Sequence, residues 1–203
     1  MGENEYFELT KSIPEVSDLL EQRNELKIQL NRVSRKLTSL SKKYEFLKVI
    51  VSPKVSDDLL EENVKHLFKE IGIERTHKVG KSKRKEDLRI ILSDKIILSE
   101  VTGTINQIST VSKTRQMTPH VDVEKSKGEN AHGLFIVNHE NDKHFKEKIK
   151  TPFTKDQIKY AKAGKYTLMT TQSLVNGFIM VKTDQLSLSD FEKRICEYGV
   201  VEF

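Results

Sequence analysis

The sequence predicts an α/β domain built on a mixed central sheet with helices on its faces, preceded by a long N-terminal coiled-coil helix. Two observations carry that prediction. The first quarter of the chain holds an unbroken column of apolar residues seven apart, and from Val55 onward short β-rich runs alternate with amphipathic helical segments. The 203 residues leave room for one core of about 100–150 residues plus an appendage. The expected division is a tail over residues 1–14, a coiled-coil helix over 15–52 and the α/β domain over 53–203.

The heptad column is Leu19, Leu26, Val33, Leu40 and Leu47. Four residues after each stand Arg23, Leu30, Leu37, Tyr44 and Val51, a second apolar column with one polar exception. Pro14 suits a helix start and Pro53 a helix stop, and no glycine falls between Glu15 and Ser52. A helix of about 37 residues extends roughly 55 Å at 1.5 Å per residue. So narrow an apolar seam needs a partner along its length. A second copy is the simplest partner, and folding back onto the domain is the alternative.

Ser56 is placed to cap a helix over Asp57–Ile71, with two aspartates in its first turn and Gly72 as its stop. A basic loop with Lys78, Lys81, Lys83, Arg84 and Lys85 follows. Leu88–Leu92 and Ile96–Val101 read as strands joined at Ser93-Asp94-Lys95. A short helix is expected over Val111–Met117, and a buried strand over Gly133–Asn138. Phe153–Ala163 reads as a helix with Thr154 as cap, Tyr166–Thr170 as a strand, Gln172–Met180 as a helix, and Leu188–Tyr198 as a last amphipathic helix capped by Ser187 or Ser189.

Charged residues make up 32% of the chain, hydrophobic ones 36%, and the net charge is +5. That mild excess permits an anionic partner without requiring one. Cys196 has no second cysteine to pair with, so nothing points to an oxidising compartment. The acidic N-terminus lacks an apolar signal region, and no run approaches the roughly 18 apolar residues of a membrane span. A cytoplasmic location without membrane contact is expected. The six histidines show no zinc-site spacing and read as structural or surface residues. No phosphate-binding glycine loop, dinucleotide fingerprint or nucleophile elbow is present.

The hairpin Glu86–Thr104 is the segment that can carry chemistry. If Ser93-Asp94 forms a two-residue turn, Leu92 opposes Lys95 and, counting outward, Asp87 opposes Glu100. Directly opposed residues share a face, with Cβ atoms about 4.5–5.5 Å apart. Two carboxylates that close repel unless a cation sits between them, and Mg²⁺ accepts such ligands together with water and phosphate. A turn one residue longer would place Asp87 opposite Val101 instead. The alternative is a pair of solvent-facing strand ends.

Asp87, a hydrophobic hairpin and then Ser99-Glu100-Val101-Thr102-Gly103 resembles the PD-(D/E)xK superfamily of restriction-endonuclease-like nucleases. The likeness extends loosely over residues 56–203. Glu61, early in its helix, matches the family's helical carboxylate. Gln116, after the hairpin, is similar to a polar residue found there in many members. The resemblance implies a restriction-endonuclease-like mixed sheet, a metal site at Asp87 and Glu100 holding Mg²⁺ or Mn²⁺, and Asp87, Glu100, Thr102, Glu61 and Gln116 as catalytic positions. It also implies DNA as substrate and a role in restriction or defence. The family's lysine falls at Thr102, which carries no charge. Lys113, Arg115 and Lys95 are candidate substitutes.

The implied function is therefore a metal-dependent DNA nuclease, dimerised through residues 15–52, with Lys78, Lys81, Lys83, Arg84 and Lys85 on the phosphate backbone. The alternatives are a catalytically degenerate nuclease-fold module that binds nucleic acid or serves assembly, and a coiled-coil adaptor that binds another protein.

Overall fold

A computed structural model describes residues 13–79, 86–106, 117–150 and 152–203. The chain divides into two compact units, Met1–Glu45 and Phe46–Phe203. No described helix is long and apolar enough to cross a membrane.

The first unit contains α1, Pro14–Lys43, with Pro14 in its first turn and lysines in its last. At 30 residues it runs about 45 Å. None of its residues is buried. Leu19, Leu26, Leu30, Val33 and Leu37 are each more than three-fifths exposed. The expected single helix through Ser52 is interrupted at Tyr44, whose φ of −99° and ψ of 16° break the helical path. The short helix α2, Glu45–Val51, resumes with a different inner face: Phe46 and Ile50, one turn apart, are buried. Core packing thus overrides the heptad register here. Phe46 meets the rings of His66 and Phe178 edge-on at centroid distances of 4.6 and 5.7 Å.

The rest of the second unit begins with α3, Asp57–Ile71, which has the predicted bounds. Ser56 Oγ accepts the Leu59 N–H at its start, and Gly72 ends it at a φ of 117° that suits glycine. Among the described residues six strands follow: β1 Thr76–Lys78, β2 Leu88–Ile91, β3 Ile96–Gly103, β4 Ala131–Asn138, β5 Tyr166–Thr170 and β6 Gly199–Val200. They lie in one sheet in chain order. β1, β2 and β3 are antiparallel neighbours, and β3 to β6 run parallel. The remaining helices are α4 Met117–Ser126, α5 Lys155–Gly164, α6 Thr171–Lys182 and α7 Leu188–Arg194.

Every residue of β4 is buried, as a central parallel strand covered on both faces requires. On one face Leu98, Phe135, Val137, Tyr166 and Leu168 pack with Val121 of α4 and Ala161 of α5. On the other, α3 packs against β1 and β3. Thr154 and Gln157 form a reciprocal cap at the start of α5.

Several expectations change. Lys78, expected in a loop, closes β1, because Thr76 and His77 pair with Ile90 and Arg89 in an antiparallel ladder. Of the helix expected over Val111–Met117, only Met117 lies within the described residues, and it begins α4, which continues to Ser126. The last helix stops at Arg194 rather than Tyr198, since the chain turns through Gly199, at a φ of 97°, to form β6.

Phe135 is fully buried at the centre of this sheet. Phe135→Ala is expected to lower unfolding free energy by about 3–5 kcal/mol. Urea denaturation followed by circular dichroism measures it, and a loss below about 1 kcal/mol would show that β4 is not the core strand.

Candidate active site

The site forms where β2 begins and β3 approaches its end. Leu92 N–H donates to the Lys95 carbonyl at 2.9 Å across the Ser93-Asp94 turn. The ladder then pairs Ile91 with Ile96 and Leu88 with Ser99. The ladder ends at that pair, and Asp87, the residue before β2, lies beside Glu100. Asp87 N–H donates to the Ser99 carbonyl at 3.0 Å, and Asp87 Oδ2 accepts the Val101 N–H at 2.8 Å. The aspartate is therefore held by backbone on both sides.

The two carboxyl groups hydrogen-bond to each other. Burial, the Asp87 charge and that hydrogen bond push Glu100 up to about 8, with Glu86 and Glu61 adding to the rise. Burial also raises Asp87, against the opposing pull of the Val101 N–H and of Glu100. The pair shares protons near neutrality because two adjacent charges cannot both be solvated there.

Glu61 reaches the same region from α3 and is nearly buried. Burial raises its pKa and the Asp87 charge adds to that rise, while a hydrogen bond from Lys78 opposes it. Lys78 Nζ lies 2.7 Å from Glu61 and 3.2 Å from Asp58, so its charge is committed to α3. Thr102, two residues beyond Glu100, shares its strand face and is buried. Lys95 lies five residues before Glu100 on the same hairpin, roughly 17 Å away at 3.4 Å per residue, so it does not stand in for a lysine at 102. Gln116, Lys81, Lys83, Arg84 and Lys85 lie outside the described residues, as do Lys113 and Arg115.

Sequence reasoning missed His120. Its Nε2 lies 3.8 Å from Glu100 Oε1. Nothing in one dimension marks it, because α4 was not foreseen and His120 stands twenty positions from Glu100. Beside it is a cavity of about 370 Å³ lined by Glu86, Arg89, His120 and Glu124, among others. Arg89 bridges Glu86 at 2.7 Å and Glu124 at 3.2 Å.

Among the described residues, no group of three or more histidine, cysteine, aspartate or glutamate side chains is placed to hold a metal ion. Two opposed carboxylates that raise each other's proton affinity nevertheless fit a hard divalent cation, which takes one or two carboxylates and completes its shell with water and phosphate.

No family model and no curated protein matches the sequence. Among solved structures, the chain is similar to restriction endonuclease FokI, at 15% identity and a TM-score of 0.56 over 78% of this chain and 30% of that one. FokI bound to DNA gives 17% identity and a TM-score of 0.54 over the same shares. The small subunit of the heterodimeric restriction endonuclease R.BspD6I gives 14% and 0.48, over 66% of this chain and 75% of that one. The chain thus spans 30% of the FokI chain. The fold is restriction-endonuclease-like, as the hairpin and its carboxylates imply.

Because the folded Glu100 carboxyl holds its proton up to about 8 against an ordinary 4.5, its contribution to stability is complete below about pH 4.5 and is lost as pH rises through about 8. In chelator-treated buffer, wild type is expected to lose on the order of 3 kcal/mol relative to Glu100→Gln between pH 5 and 8.5. Parallel stability curves for the two proteins over that range would rule out the shared proton.

Proposed function

We propose that the Phe46–Phe203 unit is a divalent-metal-dependent nuclease acting on DNA phosphodiester bonds, with restriction or defence as its setting. The observation that supports this reading is the contact between the Asp87 and Glu100 carboxyl groups beside the β2–β3 hairpin. Mg²⁺ or Mn²⁺ bound there supplies Lewis acidity toward a phosphodiester and activates water. Asp87, pinned by the Val101 N–H, presents a fixed carboxylate. Glu100 must release the proton that Asp87 otherwise lets it keep, so occupancy rises with pH. Glu61 adds negative charge behind the pair, moderated by Lys78. Lys81, Lys83, Arg84 and Lys85 immediately precede Asp87 in the chain and are suited to hold phosphates near the site in a salt-sensitive way.

Thr102 supports a second reading. It is buried and uncharged where the resembling enzymes carry lysine. The same fold would then be a degenerate module that binds nucleic acid or serves assembly. Incubation of supercoiled plasmid with Mg²⁺ and with Mn²⁺ separates the two. The nuclease reading expects nicked or linear product from wild type and none from Glu100→Ala. Thr102→Lys places a fixed charge on the face of Glu100. It is expected to raise the rate about a hundredfold if the site merely lacks that charge. Intact plasmid with all three proteins leaves the degenerate module standing.

The exposed apolar column on α1 supports self-association through residues 15–52, which would bring two sites to one duplex. Light scattering of the intact chain at micromolar concentration is expected to give a dimer or small oligomer, and Leu26→Asp with Val33→Asp a monomer. A monomeric wild type removes this part of the proposal.

A further inference from the structure

The net charge of +5 is not spread evenly along the chain. Between Lys143 and Lys165 stand eight lysines against two acidic residues, Glu147 and Asp156, an excess larger than that of the whole chain. This stretch runs from the loop after β4 through α5. α5 packs on the sheet face of Leu98, which strand alternation gives also to Glu100 and Thr102. Two aromatic rings, Phe145 and Tyr160, stand exposed among these lysines.

Phe145 is not exposed by fraying. Glu140, at the root of its loop, is fully buried, and its carboxylate accepts the Ile149 N–H and the Lys143 ammonium, each at 2.6 Å. His139 Nε2 donates to the Ile149 carbonyl at 2.8 Å, and Lys148 donates to Asn138 Oδ1. Asn141 N–H donates to the Thr104 carbonyl at 2.9 Å, tying the loop to the chain just past β3. The loop is thus pinned at both ends, and its tip is the single 3₁₀ turn Phe145–Glu147. Phenylalanine is ordinarily buried, so a ring held outward by a braced loop presents a face to be covered. Lys146 Nζ, 6.0 Å from the ring centroid, stands at the limit of a cation–π contact and leaves the ring open.

Resting on the nucleic-acid reading above, we propose that Phe145 is a stacking platform for an unpaired DNA base, and that the lysine-rich stretch holds the strand carrying it. Every base has a π-face, so such a contact is indifferent to sequence. Lysines hold the phosphates without reading bases. Thr104, where the loop is tied, lies four residues beyond Glu100, about 13 Å at 3.3 Å per residue. At 3.4 Å per nucleotide that distance is about four nucleotides. A strand stacked at the loop is therefore within reach of the carboxylate pair.

Fluorescence anisotropy of the full chain with a labelled oligothymidylate strand and with a labelled blunt duplex, in chelating buffer at low salt, tests this without cleavage. Phe145→Ala is expected to weaken strand binding at least about fivefold and duplex binding less than about twofold. The salt slope is expected to stay unchanged, because no phosphate contact is lost. The sequence contains no tryptophan, so Phe145→Trp provides a single reporter whose emission is expected to be quenched as the strand saturates it. That variant decides the question by itself if Phe145→Ala fails to fold by circular dichroism. Unchanged strand affinity in folded Phe145→Ala, or unquenched tryptophan under saturating strand, overturns the role of Phe145 and leaves the nucleic-acid reading intact. A loss shared equally by strand and duplex also overturns it, since base stacking does not act on both alike. Wild type that binds neither probe overturns the nucleic-acid reading, and the stacking role with it.

Discussion

A two-residue turn sets the register of the hairpin that carries the candidate site. Ser93 and Asp94 join β2 to β3, and the Leu92 to Lys95 hydrogen bond leaves no freedom in the pairing that follows. Side chains alternate along a strand, so a slip of one residue would move every group to the opposite face. In the observed register Leu88, Ile90 and Ile97 enter the core, and Asp87, just before β2, comes beside Glu100 of β3. The carboxylate pair is thus enforced by apolar burial several residues away. Breaking it by a register shift would expose the hairpin's core side chains.

Burial then turns that pairing into an electrostatic problem. Two carboxylates in a half-buried setting keep a proton between them, and Glu61 adds negative charge from α3. The surrounding cations are arranged unevenly. Lys78 answers Glu61, and Arg89 answers Glu86 and Glu124. Lys127 also reaches Glu124, at 2.8 Å, while the pair itself has the His120 ring nearby. Arg89, bridging Glu86 and Glu124, ties α4 to the hairpin beside this centre.

Two principles compete along residues 44–51. A heptad count continues through Tyr44, Leu47 and Val51, but the packing of the globular unit selects Phe46 and Ile50. A break at Tyr44 lets each rule operate on its own side. The exposed column of α1 follows the heptad pattern, and α2 follows the core. Neither pattern is visible as stronger in composition alone, because Leu, Val, Phe and Ile satisfy both.

The sequence by itself determined what depends on near neighbours. Ser56, Asp57 and Gly72 define α3 to the residue, Thr154 defines the start of α5, and the Ser93-Asp94 turn sets the register of β2 against β3. These features rest on caps, turns and alternation, whose interactions span only a few residues. Tertiary structure decided the rest. β1 and β6 are three and two residues long and become strands only because a neighbour offers a ladder. α4, with Pro119 in its first turn and only weak apolar periodicity, is secured by Val121 in the core and by an ion pair from Glu124 to Arg89, thirty-five positions earlier. His120 follows from that packing. Its approach to Glu100 depends on two long-range contacts that no local pattern encodes, so it emerges only when the chain is folded.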